Sequence, residues 1–467
     1  MYKKFLIIFA MLSIATAATA QGPGGGGSTD TIPDGAAYIL NNGSTVTLTG
    51  ETLSTTESDY NVVQVTNGDL TLNNCTISKT GDTNSNDGDA TSFYGINSAV
   101  YAKGLDGTSV ITMNGGTITT NAKGSNAIFA WRGATINVND VTIHNYERVS
   151  RGLHATYGGI INATNVDITT ESETSSTIAT DRGGGTVTVT GGTATAKGNR
   201  SAVLYSTGTI TANDLTGISE LGEIADVEGD NGVIINNCTM TSGSSERGLM
   251  MLQSGSGDAQ GNNAYITVSS SSLTTTDANA PLCEVPTKNV GTLTLTDVTL
   301  SVASGLLMYV DYNTQWSTHG GTGNLILNTT QGSWVYSGNV DADSYSNVTV
   351  TVGSNVIWNG VMDSDNNALS STVTVNADGS WTLTGNAYVD NLINNGAIHT
   401  AGFTLTYGSL SGSGTIDSGT GIGENTTEGP ANDGKIYTLD GRCLGTTLPN
   451  NFRGVYIQNG KKQLKTE

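Results

Sequence analysis

Short segments in which apolar and polar residues alternate recur along most of the chain, separated by Gly, Asn and Asp. The repeating unit is a strand, a polar turn and a second strand; its copies include Leu70–Ile77, Ile111–Ile118, Ile136–Ile143, Ile161–Ile168, Val187–Ala194, Ile210–Gly217, Ile234–Met240 and Leu293–Leu300. Most copies follow one another at intervals of about 25 residues, and a period of this length is typical of a solenoid.

A third short apolar strand precedes many of these pairs, as in Ala127–Trp131, Gly152–Thr156, Ala202–Tyr205, Gly248–Leu252 and Leu306–Val310. Three such strands are too short to bury an apolar face within one repeat. Parallel stacking of successive repeats, about 4.8 Å apart, would bury it. We therefore predict an all-β parallel β-helix with three short strands per coil. A β-sandwich is the alternative, but it does not require this internal repeat.

Paired asparagines mark equivalent points of two repeats, at Asn73–Asn74 and Asn236–Asn237. They suit tight bends, because Asn tolerates left-handed backbone angles. With these features, the segment from Thr31 to Tyr407 resembles the pectate-lyase-like right-handed β-helix superfamily, and more closely the adhesin-like β-helix proteins of bacterial surfaces. The resemblance implies a right-handed solenoid but no particular activity. Longer alternating strands from Gly323 onward predict narrower last coils.

The N-terminal residues 1–20 have the pattern of a secretory signal peptide, with two lysines, a short apolar run and Ala18-Thr19-Ala20 before the expected cleavage point. We predict a Gly-rich linker at 21–31, the β-helix at 32–407 and a Gly/Ser-rich linker at 408–434. No stretch has the ~20 apolar residues of a transmembrane helix. We expect a bacterial protein that is secreted or displayed on the outer cell surface, with the secretion machinery as one partner.

The net charge of the chain limits the kinds of partner that it can bind. The chain has 19 Lys and Arg against 40 Asp and Glu, a formal net charge of −21. A field of this sign repels phosphate backbones and anionic lipids, so we exclude nucleic acid and anionic membrane surfaces as partners. An acidic surface also keeps a secreted protein soluble, which is the simplest interpretation of the charge; the alternative is that the carboxylates bind cations.

The C-terminal segment 435–467 differs from the rest, because it has six Lys or Arg and only two acids. The motifs Ile436-Tyr437, Asp440-Gly441-Arg442, Gly454-Val-Tyr-Ile457 and Gly460-Lys461-Lys462 resemble the C-terminal sorting domain of the type IX secretion system. The resemblance implies a small β module, an outer-membrane translocon as partner and delivery to the cell surface. A β-hairpin that merely caps the solenoid is the alternative.

No enzyme motif is evident. The Asn-Thr-Asp, Gly-His-Gly and Arg-Ile-Lys patterns of polygalacturonases are absent, and the four histidines stand alone. Many carboxylates are present, but no motif selects the pair that glycoside hydrolysis needs. We predict a non-catalytic, adhesin-like protein that presents a polar, acidic face to a glycan or to a host or cell-surface protein. The alternative is a polysaccharide lyase or glycoside hydrolase of the same fold.

Two groups of side chains are candidates for ligand contact. Aromatic and imidazole rings recur near one face of successive coils and could stack on sugars or pack in the interior; they are Tyr101, Trp131, His154, Tyr157 and Tyr205. Arg132, next to Trp131, could add hydrogen bonds to such a sugar. Three further basic residues recur at comparable positions and could hold an anion or form weak surface ion pairs; they are Arg151, Arg200 and Arg247.

One insert resembles a calcium loop. It carries oxygen ligands at nearly alternate positions, namely Asp82, Asn84, Asn86, Asp87 and Asp89. It is not an EF-hand loop, because its sixth position is Asp87 rather than Gly and its twelfth is Phe93 rather than Glu. Calcium is the candidate cofactor here, and a plain polar loop is the alternative.

The four cysteines are predicted to be free thiols. Cys75 and Cys238 occupy the same slot of repeats that lie six to seven coils apart, or roughly 30 Å at the spacing of parallel strands. A disulfide requires Cα atoms within about 7 Å. Cys283 lies about two coils past Cys238, and Cys443 lies in the C-terminal segment, so neither has a predicted partner.

Overall fold

The computed structural model describes residues 35–85, 88–104, 107–254, 257–312, 319–417, 435–439, 443–449, 452–458 and 461–465. Within these ranges the chain forms strands and one short helix, α1 (Gly88–Ser92). The predicted signal peptide and both predicted linkers, apart from 408–417, lie outside the described residues.

The first strands are β1 (Ala36–Leu40), β2 (Thr45–Thr49), β3 (Thr52–Thr55), β4 (Asn61–Val65), β5 (Gly68–Lys79), β6 (Val100–Lys103), β7 (Ser109–Thr120), β8 (Ile128–Trp131), β9 (Thr135–Asn139), β10 (Thr142–Asn145), β11 (Leu153–Thr156), β12 (Gly159–Thr170), β13 (Ile178–Thr180) and β14 (Gly185–Ala196). The middle strands are β15 (Leu204–Ser206), β16 (Thr209–Asn213), β17 (Thr216–Ser219), β18 (Ala225–Glu228), β19 (Gly232–Asn236), β20 (Thr239–Ser242), β21 (Leu249–Leu252), β22 (Tyr265–Ser269), β23 (Ser272–Thr275), β24 (Cys283–Pro286), β25 (Val290–Thr296), β26 (Thr299–Val302), β27 (Leu306–Asp311) and β28 (Thr322–Asn328). The last strands are β29 (Trp334–Ser337), β30 (Asn339–Ala342), β31 (Asn347–Val352), β32 (Val356–Gly360), β33 (Ser370–Val375), β34 (Ser380–Leu383), β35 (Ala387–Asn394), β36 (Ala397–His399), β37 (Leu405–Ser411), β38 (Thr415–Asp417), β39 (Ile436–Tyr437), β40 (Cys443–Gly445), β41 (Gly454–Gln458) and β42 (Lys461–Lys465).

Parallel pairing between successive coils builds the fold. One sheet, called sheet A here, contains 12 strands in the order β1, β4, β6, β8, β11, β13, β15, β18, β21, β24, β27 and β30. Its pairs are parallel, and Leu153 pairs with Ile128 of the preceding coil and Ile178 of the following one. These partners lie at the spacing predicted from the repeat. The all-β parallel β-helix is therefore confirmed.

A second sheet, called sheet B, contains 21 strands and forms the other sides of the coil. Its long strands, such as β12, bend at a turn residue and pair with two shorter strands of the preceding coil, β9 and β10. The bend residues adopt left-handed angles, with φ of 50° at Asn74 and 53° at Asn237. The predicted role of the paired asparagines is confirmed.

The core is a column of inward side chains that repeats in every coil. Leu153 and Ala155 of β11 point into it, as do Ile161 and Val166 of β12, and all four are buried. Full burial of one such Ile or Leu side chain stabilises the fold by about 1.5–3 kcal/mol. Because each coil packs mainly on its two neighbours, stability accumulates along the chain.

The last coils are narrower, as predicted. Thr372 pairs with Asn391, and Ala387 pairs with Leu405, so each of these coils takes fewer residues than the coil that joins Leu153 to Ile178. These coils continue sheet B and a third, five-stranded parallel sheet, and parallel pairing runs to Asp417. The stacked indole rings of Trp358 and Trp381, with centroids 4.9 Å apart, fill their interior.

The C-terminal segment forms a separate four-stranded sheet, in which β39 to β42 pair antiparallel. This sheet contacts the solenoid through Lys462, whose Nζ donates to the carbonyl of Ala368 at 3.0 Å. All four cysteines are free, which confirms the prediction from the repeat spacing. Cys75, Cys238 and Cys283 are buried, and Cys443 is exposed.

Candidate functional site

The outer face of sheet B is flat, polar and largely paired with itself. Asn114 Nδ2 donates to Asn73 Oδ1 at 3.0 Å, and Asn139 Nδ2 donates to Asn114 Oδ1 at the same distance one coil later. Similar amide pairs join Asn162 to Asn137. The side chains of this face thus satisfy one another from coil to coil.

A shallow groove of about 410 Å3 lies beside the turns of sheet B, near Trp334 and Asp297. Ser, Thr and Asn side chains form most of its lining. Asp297 already accepts hydrogen bonds from the hydroxyls of Thr329 and Thr330 and from the backbone N of Thr330. The carboxylate in the lining of this groove is thus already bonded to protein groups.

The predicted aromatic residues lie on the outer face of the early coils of sheet A. Tyr101 pairs in register with Phe129, and Phe129 with His154, while the alternate residues point into the core. Tyr101, Phe129 and Trp131 form a separate hydrophobic cluster and are fully buried. Their ring faces are therefore not open to a sugar in this structure.

The insert that contains α1 covers these rings. Tyr94 meets Trp131 edge-on at 6.4 Å between ring centroids and stacks on Tyr157 at 5.9 Å. Thr156 Oγ1 donates to the carbonyl of Phe93 at 2.9 Å, which fixes the insert to the sheet. The insert thus protects an apolar patch rather than exposing one.

Three of the predicted calcium ligands in this insert lie within the described residues, and they bond to different protein groups. Asp82 Oδ1 accepts from the backbone N of Lys123 at 2.8 Å, and the Asn84 backbone N donates to Asp59. Asp89 forms an ion pair with Arg182 at 3.1 Å. Asn86 and Asp87 lie outside the described residues. The three described ligands therefore have different protein partners, which favours the polar-loop alternative.

Arg182, which the sequence did not single out, links the insert to a later loop. Its guanidinium lies 4.0 Å from the centroid of the Phe93 ring and pairs with both Asp89 and Asp258. Asp258 belongs to the long connection between β21 and β22. One cation thus holds two covering segments against the early coils.

The predicted basic residues do not form one exposed column. Arg132 lies 4.4 Å over the Trp131 ring, at a turn position with φ of 50°. Arg151 is buried and pairs with Asp181 at 3.3 Å. Arg200 is an exposed turn residue, and Arg247 lies several coils further along. The structure therefore separates the four arginines into different surroundings.

A buried polar group lies beneath the insert. His154 Nε2 is 3.9 Å from Asp181 Oδ2. Burial and the neighbouring Arg151 keep the pKa of His154 well below its usual value. Burial raises the pKa of Asp181 to about 7, although Arg151 opposes the shift. His154, Asp181 and Arg151 are all buried, so they are not open to a glycan in this structure.

Carboxylates replace the aromatic rings on the later coils of sheet A. In register from strand to strand, Asp226 is followed by Met250, Glu284, Tyr309 and Asp341. The neighbouring column contains Glu228 on β18 and Asp311 on β27. We call this set the acidic stripe, with the members Asp226, Glu228, Glu284, Tyr309, Asp311 and Asp341.

Two oxygens of the acidic stripe, among the residues that the structure describes, are buried and lack a hydrogen-bond partner. They are Asp226 Oδ1 and Asp311 Oδ1; Glu228 accepts from Ser254. Tyr205 Oη also donates to Glu228, to its Oε1 at 2.9 Å. Native proteins rarely leave buried polar atoms unpaired, so such atoms indicate a place where a ligand, ion or water binds.

Crowding and burial make these carboxylates hard to ionise. Burial raises the pKa of Glu284 to about 7 and that of Asp311 and Asp341 to about 6. Burial, and then the neighbouring Glu223, raises the pKa of Asp226 well above its usual value. At neutral pH the stripe therefore offers both protonated and ionised carboxyl groups, which can donate as well as accept hydrogen bonds.

Arg247 supplies a positive charge within the stripe. Its Nε lies 2.6 Å from Glu284 Oε2, although the N–H direction does not meet hydrogen-bond geometry, and Nη1 lies 3.9 Å from Glu223. It also pairs with Glu246. The sequence prediction placed Arg247 among the ligand candidates but did not identify Glu223 and Glu284 beside it.

The acids were missed because the coils of this region differ in length. Ala225 pairs with Leu249 across a coil of nearly the usual period, but the next coil, which joins Leu249 to Cys283, is much longer. A fixed period therefore does not align Asp226 with Glu284. The sequence pattern that could have identified these acids is an acidic residue directly after an apolar residue that begins a strand, as in Cys283-Glu284.

Comparison with known proteins does not assign the chain to a family. No protein-family model matches the chain, and neither a curated protein nor a solved structure gives a significant match. Among the described residues, no helix is long and apolar enough to span a membrane.

Proposed function

We propose that this protein is a non-catalytic glycan-binding β-helix, and that the acidic stripe is its binding site. The observation that carries the proposal is the set of in-register carboxylates whose buried oxygens lack partners. Carboxylates recognise sugar hydroxyls as strong acceptors. Tyr205 and Tyr309 add rings with polar tips to the same surface.

The charge of the stripe selects the class of glycan. Besides Arg247 and Tyr309, this face carries six carboxylates, namely Asp226, Glu228, Glu284, Asp311, Asp341 and Asp343. They repel uronate and sulfate groups, because like charges at short range are unfavourable in a half-buried site. We therefore propose a neutral or amino-sugar polysaccharide, and we expect no activity on pectin or alginate.

The location belongs to the same proposal. A signal-peptide pattern at the N-terminus and a basic C-terminal segment that resembles the type IX sorting domain support a secreted or surface-displayed, adhesin-like protein. The antiparallel sheet of that segment contrasts with the parallel coils before it. Removal of residues 435–467 should abolish surface labelling of cells while leaving the solenoid folded.

A glycoside hydrolase is the second candidate, and one observation favours it. Burial raises the pKa of Glu284 to about 7, a value suited to a proton donor at neutral pH. Ionised carboxylates of the same stripe could activate water. A screen for reducing ends released from neutral polysaccharides separates the two candidates, because a binding protein releases none.

Glycan-array binding of the purified protein tests the proposal. We expect binding to neutral or amino-sugar chains and a loss of at least tenfold in affinity for Glu284→Gln, which keeps the size of the side chain but removes its charge. Asn162→Ala, on the outer face of sheet B, is the matched control and should bind normally. Equal binding by both variants, or binding restricted to polyuronates, would refute the site.

A further inference from the structure

Three carboxylates converge where sheet A ends. Asp341 lies on β30, and Asp363 and Asp365 lie in the turn after β32. One oxygen atom from each of the three lies within 4.8 Å of the others. The isolated parallel bridge between Val340 and Met362 brings the strand and the turn together.

Asp363, the buried member of this group, has an oxygen without a hydrogen-bond partner. The side chain is fully buried, and its Oδ1 accepts from the backbone N of Asn367 at 2.7 Å and of Ala368 at 3.0 Å. Its Oδ2 is buried and accepts no hydrogen bond. Leaving a buried acceptor unpaired is costly, and the two other carboxylates nearby cannot donate when ionised.

We propose that Asp341, Asp363 and Asp365 bind a divalent cation of the calcium class. A bound cation would be coordinated by the unpartnered oxygen of Asp363 and would offset the repulsion among the three negative charges. Within the described part of the chain, none of the three forms an ion pair with Lys, Arg or His.

The ligand chemistry favours Ca2+ over other metals. All three ligands are carboxylates, which suit a hard cation, whereas Zn2+ sites are usually built with His or Cys. The members range from buried Asp363 to exposed Asp365, so water can complete the coordination on the open side. A turn that supplies ligands with irregular geometry suits Ca2+, since Mg2+ requires a near-ideal octahedron.

The C-terminal sheet places a positive charge next to this group. Lys462 Nζ donates to Asn366 Oδ1 at 3.2 Å and to the Ala368 carbonyl at 3.0 Å, both in the Asp363 turn or directly after it. Its positive charge therefore acts on the Asp363 carboxylate, where a cation would bind. Removal of this charge should therefore strengthen cation binding rather than weaken it.

The proposed cation site is independent of glycan binding, although Asp341 also belongs to the acidic stripe. Calcium binding to the protein without glycan tests this proposal alone. Glycan-array binding in the presence of a chelator tests the proposed function alone. Either can fail while the other succeeds.

Isothermal titration of the full, chelator-treated protein with CaCl2 is the experiment. We expect one site with a dissociation constant on the order of 10−4–10−3 M, as in extracellular calcium modules. Asp363→Asn keeps an Oδ1 acceptor for Asn367 and Ala368 but removes the charge, and it should weaken binding at least tenfold. Asp365→Asn, at an exposed position, should weaken binding similarly and covers the case in which Asp363→Asn fails to fold.

Two further variants locate the site. Lys462→Gln should bind Ca2+ several-fold more tightly, because it removes the neighbouring charge. Asp82→Asn, in the insert first considered as a calcium loop, should bind normally. Absence of any calcium heat, unchanged binding in Asp363→Asn and Asp365→Asn, or loss of binding in Asp82→Asn alone would overturn the proposal.

Discussion

The outer faces of sheets A and B are made from the same alternate positions of stacked parallel strands, yet they differ in how their polar groups are paired. On sheet B, Asn114 bonds to Asn73 one coil before and to Asn139 one coil after. On sheet A, Asp226 and Asp311 keep buried oxygens without partners. Stacked amides can hydrogen-bond to one another because each amide both donates and accepts. Ionised carboxylates only accept, so stacked carboxylates cannot bond to one another.

Sheet A also differs along its own length. Its early coils carry the Tyr101, Phe129 and Trp131 cluster beneath the insert, and its later coils carry the acidic stripe. The covered half is built mainly from packed rings, although Trp131 Nε1 and His154 Nε2 also lack partners there, while the acidic half is built from carboxylates. The contrast indicates that stability is concentrated in the first region and binding capacity in the second.

Truncation of a buried aromatic residue should produce the largest effect on stability. Trp131→Ala removes a fully buried ring from the cluster beneath the insert and should cost about 3–5 kcal/mol in the free energy of unfolding. Tyr265→Ala, at a 37% exposed position on sheet B, should cost about 1 kcal/mol or less. Denaturant titration checks both, and equal losses would contradict the described burial.

The carboxylates of the stripe should make stability depend on pH. Asp311 has a pKa of about 6 in the folded protein, above its ordinary value of 3.8. Below about pH 4 the group is neutral in both states and carries no penalty. As the pH rises from about 4 to about 6 the unfolded chain ionises first, so stability is lost, and above about pH 6 the loss stays constant.

Asp311→Asn should therefore be about 1–2 kcal/mol more stable than the parent protein at pH 8, and nearly equal to it at pH 4, after allowance for the partial exposure of the group. Asp378→Asn, at an exposed turn, is the control.

His154 affects the pH dependence of stability in the opposite direction, because its lowered pKa costs stability as the pH falls below about 6.5. The difference between the variants cancels this contribution. A parent protein that matches Asp311→Asn at pH 8 would count against the crowded stripe.

The smallest effect should come from the amide ladder of sheet B. Asn139→Ala removes one exposed hydrogen bond to Asn114 and should cost about 0.5–1 kcal/mol. Thermal unfolding of this variant beside Asn162→Ala, which removes a similar amide pair in the neighbouring column, measures the cost. A loss of several kcal/mol would show that the ladder is more than a surface feature.

The sequence predicted the features that depend on local pattern. The repeat around Leu153, the left-handed bends at Asn74 and Asn237 and the unpaired cysteines all follow from spacing and turn chemistry. It did not predict features that depend on coils of unequal length. The alignment of Asp226 with Glu284 crosses the long coil after β21, and the pairing of Arg182 with Asp89 and Asp258 joins two inserts.

Hydrogen–deuterium exchange with and without a bound oligosaccharide tests the central claim most directly. The account predicts added protection at the ends of strands β18, β24 and β27 and in the connection after β21, with little change in the sheet B strands β9, β12 and β16. Protection centred on sheet B, or protection beneath the insert at β8 and β11 instead of along the acidic stripe, would contradict it.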